Sequence, residues 1–131
     1  MRVLFVDDNA INRTVVKGML EPSGVEVAEA EDAQSGLAMI ELGDYALILM
    51  DLRMPGMDGL SAIRRIRARP DAKARLPIIV VTADDAPDIR QQAQAAGADD
   101  LLQKPVQMAK LFETIGRVLA TRTDEDAVLL T

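Results

Sequence analysis

The chain has 131 residues, 49% of them hydrophobic, with 15 basic and 21 acidic side chains and a formal charge of −6. That length supplies one domain with a real core, and the acidic balance argues against nonspecific attraction to nucleic acid or an anionic membrane surface. With no cysteine and no histidine, the chain excludes disulfides, thiolate or imidazole metal ligation, phosphohistidine of its own and histidine-based acid–base catalysis, leaving carboxylates, hydroxyls and amines to carry any chemistry.

Arg2 to Val6 is a β-rich run that stops at Asp7-Asp8-Asn9. Asn9 is a good helix cap, and Ile11, Val15, Val16, Met19 and Leu20 recur at helical spacing until Pro22 and Gly24, predicting a first helix over 10–21. No apolar run approaches the roughly 20 residues of a membrane span, and the start of the chain has no signal-peptide organisation, so a cytoplasmic protein is expected. Val25 to Ala30, interrupted by glutamates, reads as an edge strand. Asp32 then caps a helix carrying Ala33, Leu37 and Ile40 on one face and closed by Gly43.

Ala46 to Met50 is uniformly apolar and ends at Asp51, before a Met-Pro-Gly-Met-Asp-Gly loop. This predicts a buried strand whose carboxyl end places Asp51 at a rim. Leu60, Ile63 and Ile66 mark a third helix whose outer side reads as basic through Arg64, Arg65 and Arg67, continued by Arg69, Lys73 and Arg75. Such a run is either a solvated face or a surface for phosphate or an acidic partner. Leu76 to Thr82 is an apolar strand ending in a hydroxyl, and Pro87 stands where a first helical residue would, ahead of Ile89, Ala93 and Ala96 and the stop at Gly97. Leu101 and Leu102 carry a short fifth strand, Asp99 to Gln103, that leads into Lys104-Pro105. Met108, Leu111, Phe112, Ile115, Val118 and Leu119 stripe the last helix, and 123–131 is acidic and then apolar.

Five strand–helix alternations without a long loop predict a doubly wound α/β fold: a parallel sheet of order 2-1-3-4-5 with five helices. In that order Asp7 and Asp8, Asp51, Thr82 and Lys104 all stand at carboxyl ends of neighbouring strands. Each has an ordinary explanation alone: a cap, a turn residue, β-propensity, an exposed amine. Together they form a cleft. Three acids there repel by about 3 kcal/mol per pair at ~5 Å and an effective dielectric near 20, which a hard divalent cation and Lys104 would offset. Oxygen-only ligation favours magnesium or manganese, and a metal, an amine, a hydroxyl and a carboxylate nucleophile suit phosphoryl transfer onto Asp51.

Over residues 1–122 the chain resembles the response-regulator receiver domain of two-component signalling. The matching pieces are Val6-Asp7-Asp8-Asn9, Met50-Asp51-Leu52-Arg53-Met54-Pro55-Gly56-Met57-Asp58-Gly59, Val81-Thr82-Ala83, Gly97-Ala98-Asp99-Asp100 and Lys104-Pro105. The Asp-Asp-Asn-x-x-Asn opening, through Asn12, is most similar to receivers attached to hybrid sensor kinases. The resemblance implies that Asp51 accepts phosphate from the phosphohistidine of a sensor histidine kinase or histidine phosphotransfer protein. It also implies Mg²⁺ held by Asp8, Asp51 and the Arg53 backbone carbonyl, with Asp7 assisting. Thr82 and Lys104 would contact the phosphoryl group, Ala83 would leave room for it, and Lys104-Pro105 would be cis.

The resemblance further implies a downstream protein or fused output domain as reader and a homodimer through the fourth helix, fifth strand and fifth helix; 123–131 is either a helix extension or a tail or linker. Direct nucleic-acid or membrane binding is not expected. Leu101 departs from the family, which commonly has an aromatic residue in that stretch that turns inward as the threonine moves. Arg53 and Asp84, two beyond the acceptor and two beyond the threonine, would flank the water path to the phosphoryl group and pair across it. A haloacid-dehalogenase-like phosphatase would need an acid where Arg53 stands, and a phosphorylation-independent binding module would not need the intact cleft.

Overall fold

A computed structural model describes the backbone of residues 1–130 and the side chains of residues 1–122. The elements are β1 (Arg2–Val6), α1 (Ala10–Leu20), β2 (Glu26–Ala30), α2 (Ala33–Leu42), β3 (Leu47–Met50), α3 (Gly59–Arg67), β4 (Ile78–Thr82), α4 (Ile89–Ala96), β5 (Asp100–Gln103) and α5 (Met108–Leu130). Short 3₁₀ turns at Glu21–Ser23 and Ala72–Arg75 complete the connections. All strand pairs are parallel in the order β2-β1-β3-β4-β5, with β2 at an edge as its glutamates predict. α5 continues as helix through Leu130, the helix-extension alternative for 123–131, whose side chains lie outside the described residues.

Alternation along the strands assigns the core to two layers. Leu4, Val6, Ile48, Met50, Ile78, Val80 and Leu101 face one way with Ala33, Ile40, Ile63 and Ile66 of α2 and α3. Val3, Phe5, Leu47, Leu49, Ile79, Val81 and Leu102 face the other with Val16 and Leu20 of α1 and Leu111, Ile115 and Val118 of α5. Both faces of β1, β3 and β4 are therefore covered, which is why those strands read as unbroken apolar runs. Helix starts follow the expected capping chemistry: Asn9 Oδ1 accepts from the amides of Ile11 and Asn12, Asp32 from Ser35 and Asp58 from Ser61. Gly97, at φ +115°, ends α4 in a conformation that a side chain would strain.

Four local expectations need correction. Ile11 and Val15 are 73% and 47% exposed, because a helix resting on one sheet face buries a narrow stripe and Val16 and Leu20 supply it. Met108, 54% exposed, likewise lies off the α5 stripe. Pro87 lies in the turn before α4, with Asp88 as the residue preceding the helix and the Ile89 amide bonded to the Ala86 carbonyl. Arg67 does not join Arg64 and Arg65 on the outside. Four residues after Ile63, it stands at the margin of the buried stripe and passes over Gly97, where an added Cβ would lie 2.6 Å from its Cγ. Its guanidinium donates to the carbonyls of Gly97, Ala74 and Leu76 and to Asp99.

Candidate functional site

The register that pairs Val6 with Met50 brings the next residue of each strand, Asp7 and Asp51, side by side at the carboxyl edge of the sheet. Asp8 follows on the exposed lip, and one carboxylate oxygen from each of the three lies within 4.8 Å of the others. Thr82 ends β4 with its side chain fully buried, and Lys104 follows β5 through a cis bond to Pro105. The strand ends thus bring together all five polar residues that the sequence singles out. Ala83 sits beside them in an exposed bend.

Asp51 is at the rim in topology yet only 4% exposed. Its cover explains this: Leu52 and Met54 turn inward, and the start of α3 closes against its backbone. A Cβ at Gly59 would lie 2.1 Å from the Asp51 carbonyl oxygen, so only glycine permits that approach. Asp51 Oδ1 accepts from the Arg53 amide at 3.4 Å and its Oδ2 lies 3.5 Å from Lys104 Nζ. Burial first, then repulsion from Asp7, raises the Asp51 carboxyl above the ordinary aspartate range, with Lys104 opposing both.

Asp7 is held by more donors. The Asn9 amide reaches Oδ1 at 2.9 Å, while Lys104 Nζ at 2.8 Å and Asn12 Nδ2 at 3.4 Å reach Oδ2. Lys104 therefore bridges the two buried carboxylates. Three acids against one amine leave an uncompensated charge of −2 in an all-oxygen donor set, which suits a hard divalent cation. These residues could hold such an ion without rearranging the strands.

Thr82 Oγ1 accepts from the Asp84 amide at 3.0 Å, which leaves its O–H available to donate. Asp84 in turn accepts from the Ala86 amide at 2.9 Å and from the Arg53 guanidinium, through Nε at 3.1 Å and through Nη2. The expected ion pair across the cleft mouth is formed. The Ala86 amide first, then Arg53, holds the Asp84 carboxyl below its ordinary range.

Two residues that support these groups carry no motif in the sequence. Gln103 Nε2 donates to the Asp84 carbonyl at 2.8 Å, and Arg13 donates to the Asp7 carbonyl and pairs with Glu29. The available signal was positional. Asn12 and Arg13 lie three and four residues after the Asn9 cap, where side chains reach back over the preceding loop.

Residues 3–116 match the family described as the response regulator receiver domain. The chain is 40% identical over 119 residues to the sensor histidine kinase AruS of Pseudomonas aeruginosa, covering 90% of this chain and 12% of that protein. It is 35% identical to protein PilH of the same species, over 91% of this chain and 98% of PilH. Against the first curated relatives it matches, the chain spans 12% to 16% of their length. Among solved structures, it is similar to the receiver domain of the Pseudomonas aeruginosa sensor histidine kinase PA1611, which has a magnesium ion coordinated in its active-site cleft. The TM-score is 0.82 and the identity 37%, covering 91% of this chain and 97% of that one. The chemotaxis protein CheY4 of Vibrio cholerae gives a TM-score of 0.82 at 31% identity, over 89% and 97% of the two chains.

Proposed function

The chain belongs to the response-regulator receiver family of two-component signalling, and from that premise we propose that Asp51 is its phosphoacceptor. The observation that carries the reading is the convergence of Asp7, Asp8 and Asp51 within 4.8 Å, with Lys104 on the two buried members and Thr82 beside them. The carboxylates of Asp7, Asp8 and Asp51 and the backbone carbonyl of Arg53 would hold Mg²⁺, with Mn²⁺ as a substitute. That ion supplies charge neutralisation for the phosphoryl oxygens.

An oxygen of Asp51 attacks the phosphorus of a phosphohistidine on a sensor histidine kinase or histidine phosphotransfer protein. As the O–P bond forms, the P–N bond breaks and its electron pair returns to the imidazole. Lys104 moves from bridging two carboxylates to pairing a phosphoryl oxygen, and Thr82 donates its O–H to another. Ala83, with only a methyl group, leaves space beside a backbone N–H.

Residues 1–122 form this unit, with 123–131 as a tail or linker that prolongs α5. It acts in the cytoplasm as a signalling domain that assists its own phosphorylation and dephosphorylation. The face of α4, β5 and α5 is read by a downstream protein or fused output domain, or by a second copy as a homodimer. The shift in population is bounded by how much better the phosphorylated form suits one state.

The test is incubation with acetyl phosphate and Mg²⁺ followed by intact-mass analysis. One phosphoryl group is added to the parent, and it is lost with EDTA and in Asp51→Asn. A parent that gains no mass, or a variant that does, overturns the proposal. No turnover of p-nitrophenyl phosphate is expected, because Arg53 stands where a phosphatase would need its second acid.

A further inference from the structure

Asp8 has to aim a carboxylate at the shared ion from an exposed lip, yet no hydrogen bond among the described residues restrains its side chain. Its orientation depends on the peptide plane from which it hangs. The carbonyl of that plane belongs to Asp7, and it accepts from Arg13 Nη1 at 2.5 Å. Arg13 is itself held from the other side, with Nε 3.2 Å from Glu29 Oε1 on β2 and a side chain only 14% exposed. Glu29 is shared with Lys17, 3.5 Å away, one helical turn after Arg13. The planar guanidinium thus spans from α1 to an edge strand and grips the Asp7–Asp8 peptide on its way.

We propose that Arg13 is a positioning residue for the metal site: by fixing the Asp7–Asp8 peptide plane, it presets the direction in which Asp8 presents its carboxylate. The inference rests on the reading of Asp7, Asp8 and Asp51 as metal ligands. Groups that orient ligands in this way typically change metal affinity ten- to a hundredfold when removed.

The sign of the effect separates positioning from simple electrostatics. Arg13 is a cation close to three acids, so if only its charge mattered, Arg13→Ala would deepen the negative potential and tighten Mg²⁺ binding. Positioning demands the opposite. A role confined to folding would lower the melting temperature and leave the affinity of the folded protein unchanged.

The experiment is calorimetric Mg²⁺ titration of the parent, Arg13→Ala, Arg13→Lys and Glu29→Gln, with melting temperatures taken in EDTA. Arg13→Ala is expected to weaken Mg²⁺ about tenfold. Arg13→Lys keeps the charge but only a single donor nitrogen, which cannot span both partners, and it recovers part of the loss. Glu29→Gln, which frees the far end of Arg13, weakens binding by a smaller factor. Unchanged or tighter binding in Arg13→Ala overturns the inference; should that variant fail to fold, unchanged affinity in both Arg13→Lys and Glu29→Gln does so. A parent that binds no Mg²⁺ overturns the metal-site reading beneath it instead.

Discussion

Replacing Asp51 by Asn should stabilise the protein in the absence of divalent metal. At an effective dielectric near 20, repulsion from Asp7 at up to 4.8 Å costs about 3 kcal/mol, and attraction to Lys104 at 3.5 Å returns about 5. Asp8 is exposed, so its repulsion is screened to about 1 kcal/mol. These contributions nearly cancel, which leaves the burial of an ionised carboxylate as the deciding cost, in agreement with burial being the first cause of its raised pKa. The amide removes that cost while keeping an acceptor for Lys104. A gain of about 1–2 kcal/mol follows, or roughly 3–10 °C in melting temperature for a domain of this size. Because the folded pKa lies above the unfolded one, the stability linked to the neutral group is fully present below the ordinary aspartate pKa. It is lost as pH rises through the folded value. The advantage of Asp51→Asn should therefore be largest at neutral pH and close on acidification. Saturating Mg²⁺ should stabilise the parent more than the variant and narrow the gap. Thermal unfolding in EDTA and in Mg²⁺ across pH measures all of this. A variant less stable than the parent in EDTA, or equal Mg²⁺ shifts in both proteins, refutes the reasoning.

Arg53→Ala and Asp84→Ala should each shorten the aspartyl-phosphate lifetime by at most about fivefold, since an exposed ion pair contributes under ~1 kcal/mol; equal decay rates in parent and variants would remove its role as a water barrier. Arg67→Ala should cost about 2–4 kcal/mol in urea unfolding, because it strips charged donors from three carbonyls and Asp99, whereas Arg64→Ala on the solvated side should stay within ~0.5. A similar cost for both substitutions would contradict the inward placement of Arg67. Gly59→Ala should both destabilise the fold and weaken Mg²⁺ binding, as its methyl group would force α3 off the Asp51 backbone; retained stability with retained affinity would show that the helix start moves freely.

The sheet order and the five cleft residues were legible because each depends on a local pattern. Runs such as Leu47–Met50 declare strands covered on both faces, and a polar residue at the end of each run declares the edge where ligands collect. Side-chain direction was less legible wherever a distant residue decides it. Arg64, Arg65 and Arg67 look alike in sequence, yet Arg67 turns inward because Gly97, thirty positions on, leaves it room. Ile11 and Val16 carry equal hydrophobic signal, and only the angle at which α1 rests on the sheet separates 73% exposure from 2%. Arg13 and Gln103 act on backbone carbonyls of other elements, a partner class that no side-chain pattern encodes.

Leu101 shows where the family pattern and this chain's packing part. It is 4% exposed and already seated in the layer beneath α4, so it has no outward position from which to rotate inward. Hydrogen bonds do link the cleft to β5 through the β4–α4 loop. The Asp84 amide donates to Thr82 Oγ1, its carbonyl accepts from Gln103 on β5, and its carboxylate pairs with Arg53 beyond the acceptor. Thr82 can donate to a phosphoryl group and still accept from the Asp84 amide; only a shift of the hydroxyl away from that amide would leave the N–H without a partner, at a cost of about 1–3 kcal/mol. That is of the order needed to move a two-state equilibrium by one or two powers of ten. If Asp51 is phosphorylated as proposed, this loop, tied at Asp84 to Thr82, Gln103 and Arg53, has the energetic means to reach β5 without an aromatic switch.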